Sequence, residues 1–304
     1  MALVALLAAG VVSVVVALSG PAVTLSLQDV SQAYSATWPG FARGFAQGNF
    51  ATMRKYATPE MVQAVTGAYG CGCGPWPARS PSVRFSLPAE HSYPLSFLAE
   101  IPGTYDDGSP LGREVVFTQA SSSSPWRVTY MVGFVGTRTY LGPTAVRQPP
   151  PMRYHITIVG GQFASFFQRV VNTGVPAANN DWPQTGSVKD EVDRDLQTKE
   201  AIEQIGFTQQ IAFTPLDHSI AFAYPQGDIM CGVIHSSALV TSPSGKPTVQ
   251  PADQSEWGTH LAPGSYSTLT KSGTHDYCFT ATRSGLTTPI SFFGGVYKIV
   301  GQPS

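Results

Sequence analysis

The apolar positions of the chain change period along its length, and each period predicts a different element. Apolar residues at three- and four-residue steps predict an amphipathic first helix: Val30, Tyr34, Trp38, Phe41 and Phe45. A short second helix is predicted over Phe50–Tyr56, after the Gly48-Asn49 stop. A third begins at Thr58-Pro59-Glu60, which supplies an N-cap residue, a proline at the first helical position and an acid in the first turn.

From Val83 onward the period becomes two, which is typical of half-buried strands. Four such segments are predicted as strands: Val83–Leu87, Tyr93–Ile101, Glu114–Gln119 and Trp126–Val132. Short strands at this spacing predict a curved antiparallel sheet that packs against the three helices.

The second half of the chain repeats this order of helices before strands. A strand is predicted over Tyr154–Val159, then a helix with its apolar face formed by Phe163, Phe166, Phe167, Val170 and Val171. A charged helix is predicted next, over Val188–Gln204. Six strands complete the half: Phe207–Phe213, Ser219–Tyr224, Ile229–Val240, Ser265–Thr270, Asp276–Thr282 and Ile290–Val300.

An apolar leader begins the chain. Ala2–Leu18 is almost continuously apolar, and no charge precedes Asp29. Residues 1–22 are therefore predicted to form a transmembrane anchor or a cleavable signal segment. Both interpretations stay open, because the run is short for a membrane span and Ala17-Leu18-Ser19 offers a small-residue cleavage site. Either one places the remainder outside the cytoplasm, anchored to the plasma membrane or secreted.

A proline-rich stretch divides the chain after the leader into two parts. Residues 142–153 include Pro149-Pro150-Pro151 and predict a semi-rigid linker. The expected organisation is therefore a first domain over residues 23–141 and a second over residues 154–304. The expected fold class is α+β, with helices packed on an antiparallel sheet in each domain.

Composition narrows the class of partner. Charged residues make up 12% of the chain, about half the usual share, and the net charge is −1. Without clustered lysine and arginine, no nucleic-acid surface is expected. The 30 glycines and 25 prolines mark many turns. This composition favours β-rich extracytoplasmic domains.

The four cysteines are expected to form disulfides in an oxidising compartment. Cys231 and Cys278 each lie in a predicted strand and are expected to pair. Cys71 and Cys73, within Gly70-Cys71-Gly72-Cys73-Gly74, form the second candidate pair, although sequence alone leaves three pairings open. A metal site that combines this C-x-C pair with His275 is the alternative, but it lacks the usual zinc-ligand spacing. No metal and no cofactor are therefore expected.

Several segments together resemble a known fold family. They are Phe41-Ala42-Arg43-Gly44-Phe45-Ala46-Gln47-Gly48-Asn49-Phe50, Tyr56-Ala57-Thr58-Pro59-Glu60, Pro125-Trp126-Arg127-Val128, and Trp257-Gly258 with Leu261-Ala262-Pro263-Gly264-Ser265-Tyr266. In this order they resemble uncharacterised actinobacterial envelope proteins that carry an N-terminal membrane segment and tandem nuclear transport factor 2-like domains. The resemblance implies two cone-shaped domains, and it also implies a scaffolding role like that of conjugation or secretion assembly components.

The same fold plan is shared by ketosteroid isomerase, which implies a site inside the first cone. No common hydrolase, nucleotide-binding or zinc-protease motif is present in the sequence. The residues expected to line a pocket in the first cone are Tyr34, Trp38, Phe41, Tyr56, Glu100 and Tyr130. Glu100 is the acid that would act as a base there, but a surface acid at the end of a strand is the favoured interpretation.

The histidines of the second half offer another hypothesis. If their strands are neighbours, His235, His275 and Asp276 would lie close together, and a His–Asp pair is a general base. However, adjacent residues of a strand point to opposite faces, which separates His275 from Asp276. Polar residues at strand ends are therefore the favoured interpretation.

The charged helix is the expected docking surface for an envelope partner. Its candidate contacts are Lys189, Glu191, Arg194, Asp195 and Lys199, although mixed charges at this spacing also describe a solvated helix face. We expect a non-catalytic extracytoplasmic binding or scaffolding protein with an envelope protein or an apolar small ligand as partner. The alternative is an isomerase- or cyclase-like enzyme, or an apolar small-ligand binder that uses the first cone.

Overall fold

The fold is of the α+β class with antiparallel sheets, as expected. The computed structural model describes residues 23–68, 82–87, 92–104, 110–135, 153–173, 187–204, 206–216, 220–224, 227–241, 248–249, 264–282 and 287–303. The leader, Cys71, Cys73 and the central part of the proline-rich stretch lie outside these residues. Within them, no helix is both long and apolar enough to cross a membrane.

Three helices and a four-stranded sheet form the first half. The helices are α1 (Leu27–Ala46), α2 (Phe50–Met53) and α3 (Pro59–Ala68). The strands are β1 (Arg84–Ser86), β2 (Leu95–Thr104), β3 (Pro110–Gln119) and β4 (Arg127–Val135). They pair antiparallel in the order β1-β2-β3-β4, so β4 is an edge strand of this sheet.

Two helices and a larger sheet form the second half. The helices are α4 (Arg153–Thr173) and α5 (Ser187–Gln204). The strands are β5 (Thr208–Pro215), β6 (Ile220–Tyr224), β7 (Gly227–Thr241), β8 (Thr248–Val249), β9 (Gly264–Thr282) and β10 (Thr287–Pro303). The main path is β10-β9-β7-β5, while β6 pairs with β7 and β8 pairs with β9.

Local capping explains why α1 and α3 begin where they do. Ser26 and Asp29 form a capping box, since each side chain accepts a hydrogen bond from the other residue's backbone N–H. At α3, the Thr58 hydroxyl accepts the Met61 N–H at 3.3 Å, which confirms the predicted N-cap. The predicted α1 stripe is confirmed too, because all five of its residues are buried.

The turn between α2 and α3 is fastened to the edge strand β4. Arg127 Nη1 donates to the carbonyls of Arg54 and Ala57 at 2.8 and 2.9 Å. The Val128 N–H donates to the Tyr56 carbonyl at 2.7 Å, and the Thr58 N–H donates to the Val128 carbonyl at 2.9 Å. These bonds fix the helices against the sheet and shorten α2 relative to the predicted Phe50–Tyr56 segment.

Two predictions for the second half are wrong. Residues 154–159 are not a strand but belong to α4, because a short apolar run fits either structure and the Gly160-Gly161 pair after it does not interrupt the helix. The two strands predicted on either side of Lys271 are one continuous strand, β9. Its polar middle pairs with β7 on one side and with β10 on the other.

The first sheet is buried on both of its faces. One face packs under the helices and carries Phe97 and Phe117. The opposite face packs against the second sheet in a shared apolar cluster, here called the inter-sheet layer: Leu98, Val116, Tyr130, Val132, Phe222, Ile229, Cys231, Val233 and Cys278. The two halves thus share buried surface, while their division into separate domains stays a prediction.

In the second half, α4 covers the remaining face of the sheet. Phe166, Phe167 and Val170 of α4 pack with Phe213 and other buried residues of β7 and β9. Asn172 exchanges two hydrogen bonds with the backbone of Ile211, at 2.7 and 2.9 Å. The strand β5 is at the end of the order β10-β9-β7-β5. The Asn172 side chain therefore supplies hydrogen-bond partners to backbone groups of this strand.

A second contact between the halves is a close approach of α3 to β10. Gly67 lies so near the Gly295 backbone that a Cβ on either residue would overlap the other's carbonyl group. Glycine is therefore required at this crossing for steric reasons.

Replacing Gly67 by alanine is expected to destabilise the protein by about 2 kcal/mol, because the methyl group must displace a backbone segment. Gly161→Ala in α4 is the matched control, since its Cβ would meet nothing within 4 Å. That control should gain up to ~1 kcal/mol from helix propensity. Chemical denaturation measures both, and equal midpoints for the two variants would contradict the close approach.

Candidate functional site

The six residues predicted to line a pocket lie on two different faces of the first sheet. Tyr34, Trp38 and Phe41 are buried in the core beneath the helices, and Tyr56 packs against that core. Glu100 is on the opposite face, and Tyr130 is in the inter-sheet layer. The sheet therefore separates the aromatic residues of the predicted set from its acid.

Aromatic rings pack against one another in the core beneath the helices. Phe97 and Phe117 stack with centroids 4.8 Å apart, and Tyr34 meets Phe117 edge-on at 6.0 Å. Trp38 and Phe41 extend the cluster at 5.6 Å. Such offset and edge-on arrangements are favourable aromatic contacts.

Glu100 is not a surface acid at the end of a strand, as the favoured interpretation had it. It lies within β2 and is 3% exposed. The register places it directly opposite Arg84 on β1 and directly opposite Glu114 on β3. Arg84 Nη1 lies 3.4 Å from Glu100 Oε1, which forms an ion pair on the Arg84 side.

Glu114 completes a buried acid pair with Glu100. It is fully buried and stands opposite the apolar Val132 on β4. Burial raises the pKa of the Glu114 carboxyl well above its usual range, and the neighbouring Glu100 carboxyl raises it further. A negative charge on Glu114 beside the Glu100 carboxyl is therefore disfavoured in this apolar layer.

Asp276 is a third buried acid between the halves. Its Oδ2 accepts the Met131 N–H of the edge strand β4 at 3.0 Å, which links β9 to the first sheet. Burial raises the pKa of Asp276 well above its usual range. The hydrogen bond from Met131 lowers this pKa, whereas the nearby Glu60 carboxylate raises it further. Burial and the nearby Asp276 charge also raise the pKa of Tyr130.

The histidines are divided between the two faces of the second sheet, as alternation predicts. His275 Nε2 lies 3.0 Å from the Ser236 hydroxyl, whereas the neighbouring Asp276 reaches Met131. His235 Nδ1 lies 3.1 Å from Thr274 Oγ1, which also donates to Gln63 of α3 at 3.2 Å. The predicted separation of His275 from Asp276 is therefore confirmed. The interpretation as polar residues at strand ends is wrong, because both lie within β9 and are buried.

The Ser236–His275 contact has the spacing of a nucleophile beside a base. Both side chains are buried, and Gly273 lies between them, where a Cβ would overlap the serine hydroxyl. The contact gives the buried Ser236 hydroxyl and the buried His275 Nε2 a hydrogen-bond partner each. Buried polar side chains usually have such partners, so a structural role explains the pair.

The predicted disulfide between Cys231 and Cys278 is confirmed. It joins directly opposite residues of β7 and β9, and both cysteines are buried in the inter-sheet layer. The predicted partners Cys71 and Cys73 lie outside the described residues.

The predicted docking helix is present as α5. Asp195 and Lys199 are partly exposed, and Lys199 pairs with Glu203 at 2.9 Å. The side chains of Lys189, Glu191 and Arg194 lie outside the described residues. Among the described residues, no group of three or more histidine, cysteine or acidic side chains is arranged to hold a metal ion.

No protein-family model matches the chain, and no curated protein matches it either.

Removing the charge partner of Glu100 should destabilise the fold. Arg84→Met is expected to cost about 1–2 kcal/mol, less than for a fully buried pair because Arg84 is partly exposed. Adding Glu100→Gln should recover part of that loss, since no charge is then left buried without Arg84. Urea denaturation of both variants measures the difference, and a double variant less stable than Arg84→Met would contradict the assignment.

Removing the disulfide should also destabilise the fold. Its cysteines are 47 residues apart, and in the chain-entropy model closing such a loop contributes about 4 kcal/mol. Cys231→Ala/Cys278→Ala is expected to lose free energy of unfolding on that scale in urea. The control is the unchanged protein in reducing agent, which should approach the same midpoint once the buried bond is reduced in denaturant. Identical midpoints for oxidised protein and double variant would refute a stabilising disulfide.

Proposed function

We propose that this chain is a non-catalytic binding or scaffolding protein of the bacterial cell envelope. The observation that carries the proposal is the packed aromatic core of the first half, around Phe97 and Phe117. An isomerase-like enzyme, or a protein that binds an apolar small molecule, would hold that molecule in this interior. Because these rings pack against one another in the described part of the first half, we place recognition on the outer surface.

The positions of the acids also favour binding over catalysis. A base inside the first cone would have to project from the face of the sheet that carries Phe97 and Phe117. Glu100 and Glu114 instead project from the other face, towards the second sheet. The isomerase alternative therefore lacks a carboxylate beneath the helices among the acids of β2 and β3.

Two features support a location outside the cytoplasm. The apolar run Ala2–Leu18 has the character of a membrane anchor or signal segment. The buried Cys231–Cys278 bond belongs to the class of structural disulfides, which persist in oxidising compartments and are rare in the cytosol.

The surface that we propose for partner docking is α5. Leu196 packs against the core of the second half, which leaves the exposed side of the helix to Gln197, Glu200 and Glu203. A helix fixed by one face and charged on the other suits a rigid, charge-selective contact with another protein.

The test is photo-crosslinking in cells of the full chain, with a photoreactive residue at Gln197. We expect the protein in the envelope fraction, with Cys231 and Cys278 oxidised, and one adduct of discrete mass with an envelope protein. Glu200→Lys/Glu203→Lys should reduce this adduct about tenfold, because it inverts the charge of the proposed contact.

The matched control is Arg54→Glu/Lys55→Glu, which inverts two exposed charges on the first half and should leave the adduct unchanged. Full-length protein in the cytosol with every thiol titratable would contradict the location. An adduct that survives charge inversion on α5 would contradict the docking surface.

A further inference from the structure

The inter-sheet layer encloses two acids that have no cation beside them in the described part of the chain. Glu114 is flanked by Glu100 on β2 and by Val132 on β4. Arg113 precedes Glu114 in β3, but its side chain points to the other face of the sheet. There its guanidinium lies against Gly133 of β4, in the space that a Cβ would occupy. Arg84 reaches the pair only through Glu100.

Asp276 is the second of these acids, and it is buried where β9 contacts β4 of the first sheet. The Met131 N–H hydrogen bond holds Oδ2, while Oδ1 has no hydrogen-bond partner among the described residues. The titratable groups that interact with it are Glu60 of α3 and Tyr130 of β4. His235 lies on the same face of the neighbouring β7, opposite Thr274.

We propose that the contact between the two sheets is a protonation-controlled latch, closed while Glu114 and Asp276 carry protons and loosened when they lose them. An ionised carboxylate enclosed by apolar side chains costs several kcal/mol unless a cation or several donors compensate it. Glu114 meets a second acid and Asp276 meets one donor. Separating the sheets lets water solvate both charges.

The direction of the pH response is set by burial. A carboxyl whose pKa is raised in the folded state contributes stability that is fully present below its unfolded pKa, about 4. That contribution is lost as pH rises through the raised folded-state pKa. The pKa values of Glu114 and Asp276 are both raised, so both acids favour a closed layer at acidic pH and a looser layer towards alkaline pH.

The latch does not rest on the proposed function, because it concerns packing within the chain in any compartment. Hydrogen exchange of the full chain between about pH 5 and pH 9, corrected for the intrinsic rate, tests it. Amides of β4 and β9 should become at least about tenfold less protected over this range. A tenfold change is what a pKa shift of about one unit in a single group produces. Amides of α1, which lies on the far side of the first sheet, should keep theirs.

Glu114→Gln/Asp276→Asn removes both titrations and should hold the protection of β4 and β9 within about threefold across the same range. Glu200→Gln, an exposed acid of α5, is the control and should behave like the unchanged chain. Equal loss of protection in α1 and β4 would mean global unfolding and would overturn the latch. A double variant that behaves like the unchanged chain would overturn it as well.

A measurement on the unchanged chain keeps the proposal testable if the double variant fails to fold. The infrared band of protonated carboxyl groups should persist above the pH at which exposed carboxyl groups lose their protons, and it should disappear over the range in which protection falls. Loss of that band below about pH 5, with protection unchanged, would overturn the latch.

Discussion

The structure depends on the requirement that the first sheet be buried on both faces. Alternate residues of β2 and β3 face the helices, as Phe97 and Phe117 do, while Leu98 and Val116 face the second sheet. Two-sided burial accounts for the apolar character of both faces of these strands. It also determines that any acid on the second face is enclosed by apolar side chains, which is the origin of the raised pKa of Glu114.

Local signals are enough to predict most elements, because caps and periodicity act within a few residues. Ser26, Thr58 and the apolar stripe of α1 specify their helices directly. The start of α4 and the middle of β9 cannot be predicted this way. The first is an apolar run that fits a strand or a helix, and the second is a polar stretch whose strand structure depends on two partners distant in sequence.

The candidate site shows the same limit. Strand pattern favours the pairing of Cys231 with Cys278, which the structure confirms, and alternation separates His275 from Asp276. The burial of Glu100 escapes such reasoning because a period of two identifies a face without saying what covers it. The cover is the second sheet, more than a hundred residues further along the chain. The signal available in the sequence is an acid at the alternate position after Leu98, within an otherwise apolar strand.

The chemistry of the inter-sheet layer cannot be explained by stability alone. Buried ionisable groups can often be replaced by apolar residues of similar volume with no loss of stability, so stability alone does not account for an acid such as Glu114 in this layer. An apolar layer would lack a response to proton concentration. Both acids respond in the same direction, and Asp276 does so at a hydrogen bond that joins β9 to the edge strand β4. Since an extracytoplasmic protein meets pH changes that the cytoplasm buffers, the proposed location and the acid-filled interface together suit a surface whose packing depends on the medium.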